Sequence, residues 1–372
     1  MRYLLLLCCW LPIFTSAQNI EWDKSTLRKV VPVANDQSAN YARIIQLASG
    51  QLLCVYETAG NVACVFSNDL GNSWSAETTV AKKEVGLNMT VPEVIELQDK
   101  SLLASYNPRP YLIDGKADTS KHFEIRTKKS YDGGKTWRDE RMLYQASDKF
   151  ENGCWEPAQL QLKSGKILLF FSNENIYRDS DEQNISILTS ADGGLNWSKD
   201  PKIVSFKPHF RDGMPVPIVL KGKNSILFSI EDNANGNFKP TLVELKLNNK
   251  KFDDIAQSSR YQPFVNPLPD TVYAGAPYLR QLHNGRTILS FQSTQNRTNN
   301  WQHATMQVAI GNKLGQNFVL VNEPFQVPKN KHALWNSICI LSDDTILAIA
   351  STDAYDKVST IWMIKGKLID KK

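Results

Sequence analysis

The chain has 372 residues, of which 42% are hydrophobic, so it contains enough apolar side chains for a complete core. Its formal net charge is only +5 and its basic residues are scattered, which argues against a nucleic-acid-binding groove. Beyond the N-terminal segment no apolar run approaches the ~20 residues that span a bilayer, so we expect no membrane span.

The N-terminal 17 residues have the pattern of a cleavable signal peptide. Arg2 precedes an apolar run over 4–14, and the small residues at 15–17 suit signal peptidase. We therefore expect a mature chain that is secreted or periplasmic. Cys8 and Cys9 leave lipidation open as an alternative, although leucines rather than a small residue precede them.

One pattern recurs six times: an apolar strand, a short polar turn that often contains glycine, and a second apolar strand. Each copy is typical of a β-hairpin buried on both faces, and a spacing of about 60 residues leaves room for a four-stranded blade. The sequence therefore predicts an all-β fold, a six-bladed β-propeller of four-stranded antiparallel blades that forms a single domain over residues 18–372. The copies span 41–57, 91–107, 156–172, 214–231, 276–293 and 335–351.

Closure of the ring is predicted to use both ends of the mature chain. We expect the segment 21–33 to pair as a strand with the C-terminal segment 361–367. Such pairing would remove two exposed strand edges from the propeller.

A second motif, S-x-D-x-G-x-[STN]-W, falls between the hairpins at 67–74, 130–137 and 190–197. It resembles the Asp-box of sialidase-like (BNR) propellers. An Asp side chain accepts hydrogen bonds from backbone N–H groups in a turn, Gly permits a positive φ, and Trp packs over the blade. We therefore expect Asp69, Asp132 and Asp192 to stabilise turns rather than catalyse. Calcium binding is disfavoured, because each motif has one clear carboxylate whereas Ca²⁺ takes about 6–8 oxygen ligands.

Four cysteines follow the signal peptide: Cys54, Cys64, Cys154 and Cys339. None has the CxxC spacing typical of a structural zinc site, so we expect no metal and no other cofactor. Cys54 and Cys64 lie in neighbouring predicted strands. A disulfide between them and a pair of buried free thiols both remain open.

Antiparallel hairpins bring the start of each first strand and the end of each second strand to one end of the propeller, which we call the rim. Carboxylates, aromatic side chains and amides concentrate there, as expected of a sugar site. Glu156 enters an apolar strand beside Trp155, an environment that raises a carboxyl pKa and suits a general acid. Glu231 ends the apolar run 226–230 and precedes Asp232, a wetter setting in which we expect an ionised carboxylate. For each glutamate a salt bridge or a strand-end cap is the structural alternative.

Short segments around these glutamates resemble the exo-arabinanase family of six-bladed propeller glycosidases, glycoside hydrolase family 93. The segments are WEP at 155–157, RDGMP at 211–215, FSIE at 228–231, GAPY at 275–278 and LWNS at 334–337. The resemblance implies a retaining reaction with Glu156 as acid/base and Glu231 as nucleophile. From the rim positions and these segments we select the candidate substrate-binding residues Arg43, Glu93, Trp155, Arg211, Tyr278, Trp335 and Asn336.

The sequence YARI at 41–44 also resembles the first-blade motif of sialidases, in which three arginines bind a carboxylate. The remaining basic candidates do not match the rest of such a triad: Arg211, Arg280 and Arg297. A sialidase uses a Tyr nucleophile, for which three residues are candidates: Tyr273, Tyr278 and Tyr355. Tyr278 is the best placed of these on an innermost strand, although a packing or sugar-contacting role is favoured for it.

The sequence thus favours a secreted glycoside hydrolase, retaining and exo-acting on arabinan-type or related oligosaccharides. Its partner is an oligosaccharide or polysaccharide substrate, and we expect a monomer. Two alternatives remain: a sialidase-type exo-glycosidase for an acidic sugar, and a glycan-binding propeller without catalysis.

Overall fold

All six predicted hairpins are present, and each forms the inner half of a four-stranded antiparallel sheet. The computed structural model describes residues 18–31, 37–247 and 258–370. The predicted all-β, six-bladed β-propeller is confirmed, and the helical turns within these ranges are two 3-10 turns at Phe150–Asn152 and Trp301–His303. The predicted signal peptide, with Cys8 and Cys9, lies outside the described residues.

The blades are numbered in chain order, with the innermost strand first. Blade 1 contains β2 (Ala39–Gln46), β3 (Leu52–Thr58), β4 (Asn61–Ser67) and β5 (Thr78–Ala81). Blade 2 contains β6 (Leu87–Glu96), β7 (Leu102–Pro110), β8 (Glu124–Ser130) and β9 (Arg138–Gln145). Blade 3 contains β10 (Cys154–Gln161), β11 (Ile167–Asn173), β12 (Asn184–Ser190) and β13 (Lys202–Ser205). Blade 4 contains β14 (Asp212–Val219), β15 (Ser225–Asp232), β16 (Lys239–Lys246) and β17 (Ser258–Tyr261). Blade 5 contains β18 (Ala274–Gln281), β19 (Thr287–Ser293), β20 (Thr305–Gly311) and β21 (Val319–Asn322). Blade 6 contains β22 (Ala333–Ile340), β23 (Ile346–Thr352), β24 (Thr360–Asp370) and β1 (Gln18–Lys29).

Strand β1 closes the ring as predicted, because it pairs antiparallel with β24 in blade 6. Trp22 lies opposite Gly366, and its indole packs on the bare face of that glycine. Trp22 Nε1 also donates a hydrogen bond to Asn322 Oδ1 of blade 5 at 2.5 Å. The N-terminal strand therefore covers the edge of β24 and ties blade 6 to its neighbour. The end of the predicted segment, beyond residue 31, lies outside the described residues.

The apolar runs of the hairpins form strands because both of their faces are covered by neighbouring blades. Phe170 of β11 and Phe228 of β15 are fully buried between blades 3 and 4, with ring centroids 5.4 Å apart. Complete burial of such a ring contributes about 1.5–3 kcal/mol. The interior therefore consists of apolar layers between adjacent sheets.

The four cysteine side chains within the described ranges are buried free thiols, which excludes the Cys54–Cys64 disulfide left open by the sequence. In the β3–β4 ladder Cys54 lies opposite Val65, and Cys64 lies opposite Val55. Cys54 packs in the same cluster as Cys339, whereas Cys64 packs with Val55 in another cluster. The two thiols thus point to opposite faces of the sheet and cannot meet.

The three S-x-D-x-G-x-[STN]-W segments form equivalent turns. Asp69 Oδ1 accepts hydrogen bonds from the N–H of Ser73 at 2.9 Å and the hydroxyl of Ser67 at 2.8 Å, and Oδ2 accepts the Ser73 hydroxyl at 2.6 Å. The same bonds recur at Asp132 and Asp192. Bonds from the residue four positions later lower the pKa of each Asp to about 2. Since the preceding strand starts at the rim, these turns lie at the opposite end of the propeller.

Candidate active site

Every innermost strand contains a β-bulge at the same position near the rim, where it gains one extra residue relative to its partner. A non-glycine residue with φ between 46° and 54° occupies each bulge: Tyr41, Val91, Glu156, Met214, Ala276 and Trp335. Such angles are uncommon for L-residues and exceptional for β-branched Val91. Backbone strain of this kind, about 1–3 kcal/mol per residue, clusters at functional sites.

The bulge residues surround the propeller axis and enclose one carboxyl group. Those of five different blades pack into a single apolar cluster: Tyr41, Val91, Met214, Ala276 and Trp335. Glu156 is the sixth, with a side chain 18% exposed. Burial raises the pKa of Glu156, and the nearby Arg109 guanidinium partly opposes this rise. The environment matches the one predicted for Glu156 from the sequence.

Proline follows the bulge residue in four blades: Pro92, Pro157, Pro215 and Pro277. Proline cannot donate to a strand ladder, but a bulge tolerates it because the extra residue is unpaired. The repeated x-Pro dipeptide at the start of a hairpin is therefore a sequence signal for the bulge.

A ring of hydrogen bonds near the rim links successive blades. The acceptor is a side chain at the rim end of the second strand, opposite the residue that precedes the bulge. In four blades this side chain accepts a hydrogen bond from the backbone N–H of the bulge residue in the following blade. The backbone N–H donors and their acceptors are Val91 to Glu57 Oε2 (2.9 Å), Met214 to Ser172 Oγ (3.1 Å), Ala276 to Glu231 Oε2 (2.9 Å) and Trp335 to Gln292 Oε1 (2.8 Å). The carboxylate of Glu231 is therefore fixed beside the axis by blade 5.

Glu231 fits its position because two glycines leave room for its carboxylate. A Cβ atom at Gly213 would lie 3.0 Å from Glu231 Oε1, and one at Gly275 would lie 2.8 Å from Oε2. Burial raises the pKa of Glu231 to about 7, and the nearby Glu156 carboxylate adds to this rise. The sequence predicted a wetter setting in which this carboxylate stays ionised, whereas the chain packs glycine backbone around the side chain and its pKa is raised.

Three arginines at and below the rim are each paired with a carboxylate, namely Arg43 with Glu93 (3.6 Å), Arg109 with Glu156 (3.5 Å) and Arg211 with Glu174. Glu174 is 2% exposed and also accepts a hydrogen bond from Gln183 Nε2 at 2.9 Å. Burial raises the pKa of Glu174 to about 7. The charges of the three guanidinium groups are thus largely balanced within the protein.

Of the candidate binding residues, Arg43, Glu93 and Tyr278 lie one layer below the bulge ring, and all three are buried. Tyr278 Oη donates to Glu93 Oε2 at 3.4 Å, and the guanidinium groups of Arg43 and Arg280 lie 4.9 Å and 4.3 Å from the Tyr278 ring centroid. Arg43 Nη1 donates to the backbone carbonyls of Ala42, Trp335 and Asn336. These residues form the floor beneath the two glutamates.

Aromatic side chains cover the blade 6 side of the site. Trp335 stacks on Tyr41 with ring centroids 4.4 Å apart, and Trp301 meets Trp335 edge-on at 6.1 Å. Trp301 is 44% exposed, so its ring is open to solvent. Asn336 is buried, and its Nδ2 donates to the Ala276 carbonyl at 3.1 Å.

The opposite side, on blades 2 and 3, carries Trp155. Its ring contacts Phe123 and Phe150 and lies 4.9 Å from the Arg109 guanidinium. Arg211, from blade 4, joins this side through Glu174. The site thus has an aromatic wall and a wall of paired charges.

The set of binding residues selected from the sequence did not include Arg109, Glu174 or Trp301. Tyr273 was considered there only as a nucleophile. Arg109 lies two residues beyond the predicted end of the second hairpin, because β7 continues to Pro110. Glu174 directly follows β11, so its rim position was a usable signal. Tyr273 and Trp301 lie in connections, where no periodic pattern indicates their direction.

The chain belongs to the BNR repeat-like domain family, whose sequence profile matches residues 100–323. A sialidase from Micromonospora viridifaciens is 30% identical over an alignment of 124 residues, and the match covers 30% of this chain. The match covers 18% of that sialidase, so the chain spans less than a fifth of the curated relative.

Solved structures of glycoside hydrolases share the fold. The α-L-arabinofuranosidase of Fusarium graminearum, solved with an iminosugar inhibitor, superposes with a TM-score of 0.67 at 19% identity, covering 91% of this chain and 97% of that one. The NanB sialidase of Streptococcus pneumoniae superposes with a TM-score of 0.61 at 12% identity, covering 92% and 70%. These solved structures therefore share the propeller fold of this chain.

Proposed function

We propose that the protein is a retaining, exo-acting glycoside hydrolase for arabinan-type or related neutral oligosaccharides. The observation that carries the proposal is the pair of carboxyl groups beside the axis, Glu156 and Glu231, whose pKa values are both raised by burial. A pair of nearby carboxyl groups, half-buried here, is what glycosidic bond hydrolysis requires. A propeller that only bound glycans would have no use for this costly arrangement.

In this reaction Glu156 gives its proton to the glycosidic oxygen as the bond to the leaving group breaks. The Glu231 carboxylate attacks the anomeric carbon from the other face and forms a covalent glycosyl-enzyme. Glu156, now ionised, then takes a proton from water, and the resulting hydroxide oxygen displaces Glu231 from the sugar. Two inversions give net retention.

The pKa shifts alone do not assign these roles, because burial raises both values and Arg109 favours the ionised form of Glu156. When two carboxyl groups interact, their titration belongs to the pair. The assignment follows the resemblance of the WEP and GMP segments to family 93. It is supported by the Ala276 N–H bond to Glu231, which holds a nucleophile rigidly against a bound sugar.

The paired arginines support a neutral sugar over an acidic one. Binding of a sialic acid carboxylate requires guanidinium donors that are free to point at it. Here the carboxylates of Glu93 and Glu174 already occupy the guanidinium groups of Arg43 and Arg211. The similarity to a sialidase keeps an acidic substrate as the second candidate, to be tested beside the neutral ones.

The test is a panel of arabinan oligomers, aryl arabinofuranosides and sialosides assayed with the wild-type protein. We expect release of short products from chain ends and, by NMR, a first-formed product with the anomeric configuration of the substrate. Glu231→Ala should lose turnover on every substrate. Glu156→Ala should keep activity on activated aryl glycosides and regain rate with azide, which replaces water without needing a base. Rescue of Glu231→Ala instead would reverse the roles, and binding without product would favour the non-catalytic alternative.

We also propose that residues 1–17 direct export and are removed, and that the mature protein is a monomer. The mass of protein recovered from the culture medium or periplasm should correspond to a chain that begins at Gln18. Light scattering should give the mass of one chain.

A further inference from the structure

Tyr273 is the rim residue whose contacts the proposed reaction leaves unused. It lies in the connection that enters blade 5, where its backbone N–H donates to Thr294 Oγ1 at 3.0 Å. Its ring lies 6.3 Å from the ring of Trp301. Both ends of the residue are therefore held against blade 5.

The direction of the hydrogen bond at its hydroxyl follows from Gln292. The Gln292 Oε1 atom accepts the N–H of Trp335, so the atom that faces Tyr273 Oη at 2.8 Å is the amide nitrogen Nε2. An amide nitrogen only donates, so Tyr273 Oη accepts this bond. The hydroxyl proton of Tyr273 must therefore point to another partner.

Glu231 lies close to the same glycine, Gly275. A Cβ atom added to Gly275 would overlap Tyr273 Oη and would lie 2.8 Å from Glu231 Oε2, so both groups occupy the same bare face of this glycine. Burial raises the pKa of Tyr273 and the Glu231 charge adds to the rise, so the hydroxyl keeps its proton. Within the described ranges Glu231 Oε1 accepts no hydrogen bond, whereas Oε2 accepts one from Ala276 N–H.

We propose that Tyr273 is a positioning residue for Glu231: its proton, directed by Gln292, faces Oε2, stabilises the ionised carboxylate and leaves Oε1 as the attacking oxygen. The inference rests on the proposed function, in which Glu231 is the nucleophile. It adds a neutral hydrogen-bond donor and involves no bond to Tyr273. This role matters because a carboxylate whose pKa is raised must still be ionised to act as a nucleophile.

The pH dependence of kcat/KM tests this role. The acidic limb reports ionisation of the nucleophile, so loss of a donor to Glu231 should move that limb to higher pH. For Tyr273→Phe we expect a shift of roughly one pH unit, which is about a tenfold loss of rate below the limb. Tyr261→Phe is the matched control, because its hydroxyl donates to the Gly315 carbonyl, at 2.9 Å, away from the site.

An acidic limb that stays in place in active Tyr273→Phe would overturn the inference and leave the assignment of Glu231 intact. The identity of the nucleophile is checked separately by trapping the intermediate with a 2-fluoro glycoside and mapping the adduct by mass spectrometry. An adduct on Glu231 supports the proposed function on which the inference rests, whereas an adduct on Tyr273 would overturn both proposals. Melting curves of all variants separate the pH shift from simple loss of stability.

Discussion

Replacing Glu231 with Gln removes a carboxylate but keeps the acceptor of an inter-blade hydrogen bond. Gln292 occupies the equivalent position in blade 5, where its amide oxygen accepts the Trp335 N–H at 2.8 Å. An amide therefore fits this position of the fold. We expect Glu231→Gln to lose turnover and to remain fully folded.

The same substitution should stabilise the protein at alkaline pH. Burial raises the pKa of Glu231 from its ordinary value of 4.5 to about 7 in the folded state. The stability associated with this proton is complete below the unfolded pKa and is lost as the pH rises through the folded pKa. At roughly 1.4 kcal/mol per unit, ionising the buried group costs about 3 kcal/mol at pH 8 and about 1 kcal/mol at pH 5. Gln carries no such cost, so its advantage should grow with pH.

Urea denaturation of wild type and Glu231→Gln at the two pH values measures the difference in free energy of unfolding, with m-values compared to verify the transition. Glu57→Gln is the matched control, because Glu57 accepts the Val91 N–H in blade 1 and burial also raises its pKa. It should show a stability change of the same sign and keep its activity. A Glu231→Gln protein no more stable than wild type at pH 8, or a difference independent of pH, would refute the reasoning.

Three further predictions concern the scaffold. Asp132→Asn should lower the melting temperature, because the Asp132 carboxylate accepts three hydrogen bonds in the turn. The kcat of the folded variant should stay within twofold of wild type, and a selective loss of kcat would contradict a structural role. A thiol reagent should label none of the buried cysteines of the native mature protein and all four after denaturation without reductant; two labelled thiols would indicate a disulfide. Trp22→Ala should destabilise the propeller by about 3–5 kcal/mol and promote association through the uncovered edge of β24, measured by urea denaturation and light scattering. An unchanged urea midpoint would show that β1 is dispensable.

The repeat was readable from sequence because propeller blades impose the same demand six times. Two-faced burial requires continuous apolar strands such as β11, and a hairpin needs a polar turn between them. Closure by β1 was also predictable, since an open ring would leave exposed edges. The structure also explains why Ser, Thr or Asn stands four positions after each motif Asp, because its N–H and side chain both donate to that Asp.

The site was predictable only in part. The two glutamates were placed correctly at the rim, but Glu231 was expected to be wetter than it is, because Gly213 and Gly275 approach it from parts of the chain distant in sequence. The partners of Arg109 and Arg211 come from other blades, so no local pattern indicated that their charges are balanced. Contacts between blades depend on the positions of loops. Because loops have no periodic sequence pattern, these contacts cannot be predicted from a single sequence.

The bulge repeated in all six innermost strands has a consequence for altering this scaffold. Each bulge directs one side chain toward the axis from a different angle, on backbone whose left-handed conformation is present whether or not the residue is reactive. Reactivity at this level thus depends on the identity of one side chain, whereas the strained geometry belongs to the architecture. A carboxylate moved from Glu156 to Met214 or Ala276 would reach the centre from another direction without a new backbone. The six bulges are therefore equivalent positions around the axis, and the choice of position sets the direction from which a functional side chain reaches the centre.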